Sequence, residues 1–152
     1  MWRGEGVLKL LLERRDVSPE SRDNSRRTPL SYAVYAPEGE KVVKLLLARR
    51  EVNPESLDNS GRTPLSHAVY AYEGERVVKL LLARKEVNPE SRNNSGRTPL
   101  SHAVSVGRCE EIVKLLLERE EVNPESRDNS GRTPRSYAGG GAIVLLSQHS
   151  RS

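Results

Sequence analysis

The chain contains no phenylalanine, a single tryptophan, a single methionine and a single cysteine, and aromatic residues make up only 4% of its 152 positions. A globule that closes around one central core needs large apolar side chains to fill it. With 35% hydrophobic and 30% charged residues, this chain is short of them, so something other than a deep core must organise it. The lone Cys109 excludes an internal disulfide framework and fits a reducing compartment. No apolar run approaches the ~18 residues of a membrane span. Met1-Trp2-Arg3-Gly4-Glu5 lacks the apolar stretch of a secretory leader, so the chain reads as intracellular and cytoplasmic. The net charge of +4 comes from basic and acidic residues interspersed without blocks, so charge alone names no partner.

What the chain does have is repetition. Thr-Pro occurs at Thr28, Thr63, Thr98 and Thr133, each 35 residues after the last. Periods of this size mark a solenoid. From those anchors the chain reads TPLSYAVYA, TPLSHAVYA and TPLSHAVSV, each followed by VVKLLL or IVKLLL, then EVNPES, then DNSGR or NNSGR. Threonine is a good N-cap and proline suits the first helical position, so Thr63-Pro64 starts a short helix running to about Ala71. Tyr72-Glu73-Gly74 interrupts it. A second helix is expected from Glu75 to about Arg84, burying Val77, Val78, Leu81 and Leu82 and leaving Lys79 in solvent. Asn88-Pro89 cannot continue a helix, and Asn94-Ser95-Gly96 signals a turn, so Val87 to Arg97 forms a protruding loop or hairpin. One such unit cannot bury its own apolar stripe, and stacked neighbours must complete the core.

TPLSHA followed by VVKLLL resembles the ankyrin repeat, and the resemblance covers nearly the whole chain. It implies an all-α solenoid of helix-turn-helix units with finger loops: a partial unit 1–27, full units 28–62, 63–97 and 98–132, and a degenerate unit 133–152. The wording NPES…DNSGRTPLS is also similar to the C-terminal ankyrin arrays of large fungal sensor proteins of the NACHT type. Three departures stand out. Ser31, Ser66 and Ser101 occupy the family's usual histidine position, which puts its Thr/His network between repeats in doubt, and histidine comes one place later. The period exceeds the usual figure of about 33, which implies longer fingers. Arg50, Lys85 and Glu120 replace the glycine that ends the second helix, removing the favoured left-handed cap.

The ends differ from the middle. Val7 aligns with Val42, so the chain opens just before a second helix, with Trp2 placed to cover the exposed edge. At the other end Gly139-Gly140-Gly141 breaks the first helix, and Ala142 to Ser147 forms a shortened or frayed second one. Leu11, Leu12, Ile143, Leu145 and Leu146 are not polar caps, so the chain is either a segment of a longer array or self-associates through its ends.

The resemblance implies a non-catalytic scaffold that binds a protein or peptide through its concave groove and fingers. Differences between units cluster on the first helix, and the groove set is Tyr32, Tyr35, His67, Tyr70, His102 and Ser105. Two arrangements are open: a fully exposed ladder, or one in which Tyr32, His67 and His102 pack between helices and only the second set is exposed. At the finger base Arg27, Arg62, Arg97 and Arg132 form a stripe that could attract an acidic peptide or nucleic acid. Acidic residues at the same period favour the plainer reading of surface pairing with Asp23, Asp58 and Asp128, or with Glu20, Glu55, Glu90 and Glu125. His67, His102 and Cys109 lack zinc-ligand spacing, the triple glycine lacks the sequel of a phosphate loop, and no nucleophile motif occurs. No metal, cofactor, catalytic residue or membrane is expected.

Overall fold

The computed structural model describes residues 18–107 and 110–149. Trp2, Val7, Leu11, Leu12 and Cys109, to which the sequence assigns an opening helix, its cover, an apolar edge and a free thiol, lie outside the described residues. Six helices form three pairs: α1 (Pro29–Ala33) with α2 (Gly39–Leu47), α3 (Pro64–Ala68) with α4 (Gly74–Leu82), and α5 (Pro99–Val106) with α6 (Glu110–Leu117). A 3₁₀ turn (Pro134–Tyr137) and α7 (Gly140–His149) close the series, and there is no strand among the described residues. First helices stack on first helices and second on second, giving a two-layered solenoid.

Each first helix starts as its sequence dictates. The threonines at 28, 63 and 98 sit in extended geometry, and each side-chain oxygen accepts the amide of the serine three residues on. That serine is itself buried, and its hydroxyl closes on the same threonine at 3.3 to 3.4 Å. Serine in place of histidine therefore turns the usual inter-repeat link into a local cap. The helices α1 and α3 end three residues earlier than the sequence reading places α3, because the first glycine of the second helix must come close. A Cβ on Gly39 would lie 2.6 Å from the Ala33 carbonyl oxygen, and one on Gly74 would overlap that of Ala68. Leu30, Leu65 and Leu100 are fully buried beneath this crossing, and Val77, Val78, Leu81 and Leu82 are buried as the pattern requires.

The second helices lack a left-handed end, and α2 and α4 close on right-handed Ala48 and Ala83. Their last carbonyls are served from the next unit. Arg84 Nη1 donates to Leu47 O at 3.0 Å and Arg119 Nη1 to Leu82 O at 2.9 Å. A positive charge at a helix C-terminus also suits the helix dipole.

The finger loops are tight turns built on one side chain. Asp58 Oδ1 accepts the amides of Ser60 and Arg62, and Asp23, Asn93 and Asp128 repeat the arrangement. Neighbouring fingers are laced together, with Asn59, Asn94 and Asn129 each donating through both backbone and side chain to the finger before. The turn needs a left-handed residue, supplied by Gly61, Gly96 and Gly131 but by Arg26 in the first finger, where φ is 60°.

The last unit is degenerate for a readable reason. Arg135 stands where the other units have their buried leucine, and Gly139 where they have valine, so the first helix shrinks to a 3₁₀ turn. The glycines do not leave a frayed end: Gly140 and Gly141 form the first turn of α7, longer than the sequence reading allows, which seats Ala142 and Leu146 in the core.

Candidate binding groove

The first helices and finger bases form one face of the stack, and its residues follow a strict order. Tyr32, His67, His102 and Tyr137 occupy one position in successive units; nine residues earlier stand Asp23, Asp58, Asn93 and Asp128. In the outer pairs the tyrosine donates directly to its own finger, Tyr32 to Asp23 Oδ2 at 2.6 Å and Tyr137 to Asp128. In the two middle units histidine takes that place and bridges two repeats. Tyr35 Oη lies 2.9 Å from His67 Nδ1, and Tyr70 Oη lies 2.5 Å from His102 Nδ1, both rings meeting edge to face.

The two histidines are therefore not exposed groove residues. His67 is 2% exposed and His102 4%, whereas Tyr32, Tyr35 and Tyr70 are 49%, 44% and 41% exposed. The arrangement lies between the two that the sequence leaves open: the histidines pack inward because imidazole spans the gap to the preceding tyrosine, while Tyr32, at the end of the row, stays out. Ser105 is exposed, too short to reach the next unit, and its hydroxyl returns to His102 O at 2.8 Å.

The histidines differ in chemistry. His67 Nε2 lies 3.1 Å from Asp58 Oδ2, somewhat off the ideal hydrogen-bond line. A carboxylate only accepts, so Nε2 carries the hydrogen and Nδ1 accepts from Tyr35. His102 Nε2 instead lies 3.2 Å from Asn93 Nδ2. The orientation of that amide is fixed because Asn93 Oδ1 already accepts the amides of Ser95 and Arg97. Here Nε2 accepts, Nδ1 carries the hydrogen, and the Tyr70 oxygen receives it. Burial holds both imidazoles below their ordinary range, His67 with help from the Arg62 charge and in spite of Asp58, and His102 down to about 4, with Arg97 and Arg62 adding to the effect. Both rings are neutral near pH 7. Burial pushes the Asp58 carboxyl up, but the amides of Arg62 and Ser60 and the nearby His67 and Arg62 more than reverse this and leave it lowered.

The arginine stripe divides. Arg62 and Arg132 face their finger's aspartate, at 3.4 and 3.3 Å, and Arg27 lies over the Tyr32 ring. Arg97, whose finger carries Asn93, has no carboxylate partner among the described residues. It donates to Ser101 O at 2.9 Å and stacks 4.1 Å from the Tyr137 ring centre, whose surroundings also include Arg132 at 4.8 Å. The Nε atoms of Arg27, Arg62 and Arg97 are buried without a hydrogen-bond partner. Pairing with aspartate thus accounts for two of the four. By contrast, the second-helix layer balances its own charges, with Lys44, Lys79 and Lys114 each 2.6 Å from a glutamate on the same helix.

The sequence reading named Asp58 only as a partner for arginine and missed its place beside His67, and it missed Asn93 and the ring of Tyr137. The nine-residue co-variation of Asp with Tyr, and of Asp or Asn with His, carried the signal. Tyr72, which the sequence reading leaves out of the groove set, is fully exposed at the edge of a cleft of about 400 Å³ shared with Glu75, Glu110 and Glu111. Among the described residues no group of three or more His, Cys, Asp or Glu side chains is placed to hold a metal ion, and no helix is long and apolar enough to cross a membrane.

A family model described as ankyrin repeats (3 copies) matches residues 3–93 and 69–146. The match is to the repeat in general and does not reach the narrower likeness to fungal sensor arrays. No curated protein matches the chain. With helix pairs, finger loops and family match in agreement over most of its length, the chain belongs to the ankyrin-repeat family.

Proposed function

We propose that the chain is a non-catalytic scaffold that holds a segment of a partner protein against its concave face. Ankyrin repeats are in general protein-interaction modules. The observation that carries the reading here is the pair Tyr35 and Tyr70, half-exposed yet fixed at the hydroxyl by the next unit's histidine. A tyrosine ordered before binding loses little conformational entropy on contact and offers large amphipathic area, which is what interface hot spots use. The finger-base arginines flank the same surface. The working compartment is reducing and cytoplasmic, in keeping with the single cysteine.

Selection of peptides from a random displayed library on the whole chain tests this. Peptides are expected that lose at least about tenfold in affinity on the joint change Tyr35→Ser, Tyr70→Ser, serine being native at Ser105. Selected peptides indifferent to both tyrosines would overturn the groove.

A second reading, association of copies or of further repeats at the C-terminal edge, is favoured by one observation. Ile143 and Val144 are exposed on α7, and among the described residues the Asn129 and Ser130 carbonyls meet none of the donors that their counterparts find in the next finger. Light scattering across a concentration series on the chain and on Val144→Glu tests it; a monomer throughout counts against it.

A further inference from the structure

Four arginines line the finger bases but only three aspartates stand with them, and the missing one is in the finger that closes unit 63–97. Asn93 replaces the carboxylate that Arg62 and Arg132 find in their own fingers, so Arg97 carries a charge that no described residue neutralises. The same replacement acts on the neighbouring tyrosine. The Asn93 amide donates to His102, His102 donates to the Tyr70 oxygen, and the Tyr70 hydroxyl hydrogen is left pointing away from the ring. In the link between units 28–62 and 63–97 the corresponding hydrogen of Tyr35 is spent on His67. Arg97 and Arg62 both act electrostatically on His102, the ring that Tyr70 Oη contacts, so the guanidinium and the hydroxyl flank one imidazole.

We propose that the groove recognises an acidic linear segment of a partner protein, one carboxylate of which sits between the Arg97 guanidinium and the Tyr70 hydroxyl. This rests on the groove reading above and names the chemistry of its ligand. A guanidinium with unsatisfied donors and a half-buried hydroxyl donor together match a carboxylate, which only accepts. Arg97 is further held in place by its stack on Tyr137 and its bond to Ser101, so little side-chain freedom is lost when an anion arrives.

Asn93→Asp is the decisive variant, because it places in the third finger the residue native at Asp58 and Asp128 and so keeps the fold. It supplies Arg97 with a carboxylate and reverses the His102 hydrogen bonds, removing both attractions for a ligand. In the peptide selection, the tyrosine-dependent peptides are expected to be enriched in Asp and Glu. A synthetic copy of one should bind about tenfold more weakly to Asn93→Asp and to Arg97→Gln, and its affinity should fall as salt is raised. If tyrosine-dependent peptides show no acidic enrichment and ignore both variants, the acidic proposal fails while the groove stands; if no peptide depends on the tyrosines, both fail. A short DNA duplex that binds more tightly than the peptide, with the same loss in both variants, would overturn the proposal in favour of nucleic acid.

Discussion

The two histidine links are framed alike but meet different finger residues, the Asp58 carboxylate in one and the Asn93 amide in the other, and that exchange of one oxygen for nitrogen redirects a chain of hydrogen bonds. In one, the Asp58 carboxylate faces His67 Nε2 at 3.1 Å and His67 Nδ1 accepts from Tyr35; in the other, Asn93 donates to His102, which donates to Tyr70. Both histidines are equally buried and do the same structural job of tying one repeat to the next. What reaches the surface differs: a hydroxyl whose hydrogen is spent beside an arginine that faces aspartate in one link, and in the other a hydroxyl that keeps its hydrogen beside an arginine with no carboxylate partner among the described residues. In a repeat protein the interior of a unit can thus set the chemistry of the groove without altering its shape.

Removing the imidazoles should break the comparison most strongly. His67→Ala leaves a cavity, an unpartnered Tyr35 hydroxyl and a buried Asp58 carboxylate short of a donor, and should cost about 3–4 kcal/mol; His102→Ala leaves only neutral groups and should cost about 2 kcal/mol. Urea denaturation of the two variants checks the order, and equal losses would mean that the carboxylate plays no part.

Acid should act next. His102 is held to about 4 in the folded chain against about 6.5 when unfolded. Its neutral form therefore contributes fully above pH ~6.5, and on the order of 3 kcal/mol is lost as pH falls toward ~4. Asn93→Asp gives the imidazolium a counter-charge and should flatten that slope. Midpoints of denaturation at several pH values in this window read the difference.

The fingers extend the comparison. Gly96 and Gly131 have the same φ of 75°, but a Cβ on Gly96 would overlap the Asn129 side chain and come within 2.8 Å of its amide nitrogen, while one on Gly131 meets open space. Gly96→Ala should cost about 2–3 kcal/mol and Gly131→Ala about 1 kcal/mol. The smallest effect runs the other way: Arg26→Gly relieves a left-handed arginine and should stabilise by about 1 kcal/mol or less, visible as a rise in melting temperature.

Much of this fold was legible in the sequence because each unit states its own rules. Thr-Pro sets the helix start, the Val/Leu stripe sets the buried face, and Asn-Ser-Gly sets the turn. The end of the first helix was harder to read, since it depends on how closely Gly74 approaches the Ala68 carbonyl, a contact made in space. The persistence of α7 was hidden too, because a glycine run argues against helix locally while Ala142 and Leu146 gain burial against the unit before. At the groove, the right residues stood out through their variation, but variation does not separate a buried link from an exposed contact. His67 and Tyr70 vary alike and face opposite ways.

The most direct test of the central claim, that the histidines are buried links with opposite hydrogen positions, is an NMR titration of the imidazole nitrogens, assigned with His67→Gln and His102→Gln. The account expects two neutral rings at pH 7, His67 with its hydrogen on Nε2 and His102 on Nδ1, and no titration of His102 until pH nears 4. Two rings titrating together near 6.5, each exchanging its hydrogen between nitrogens, would contradict it.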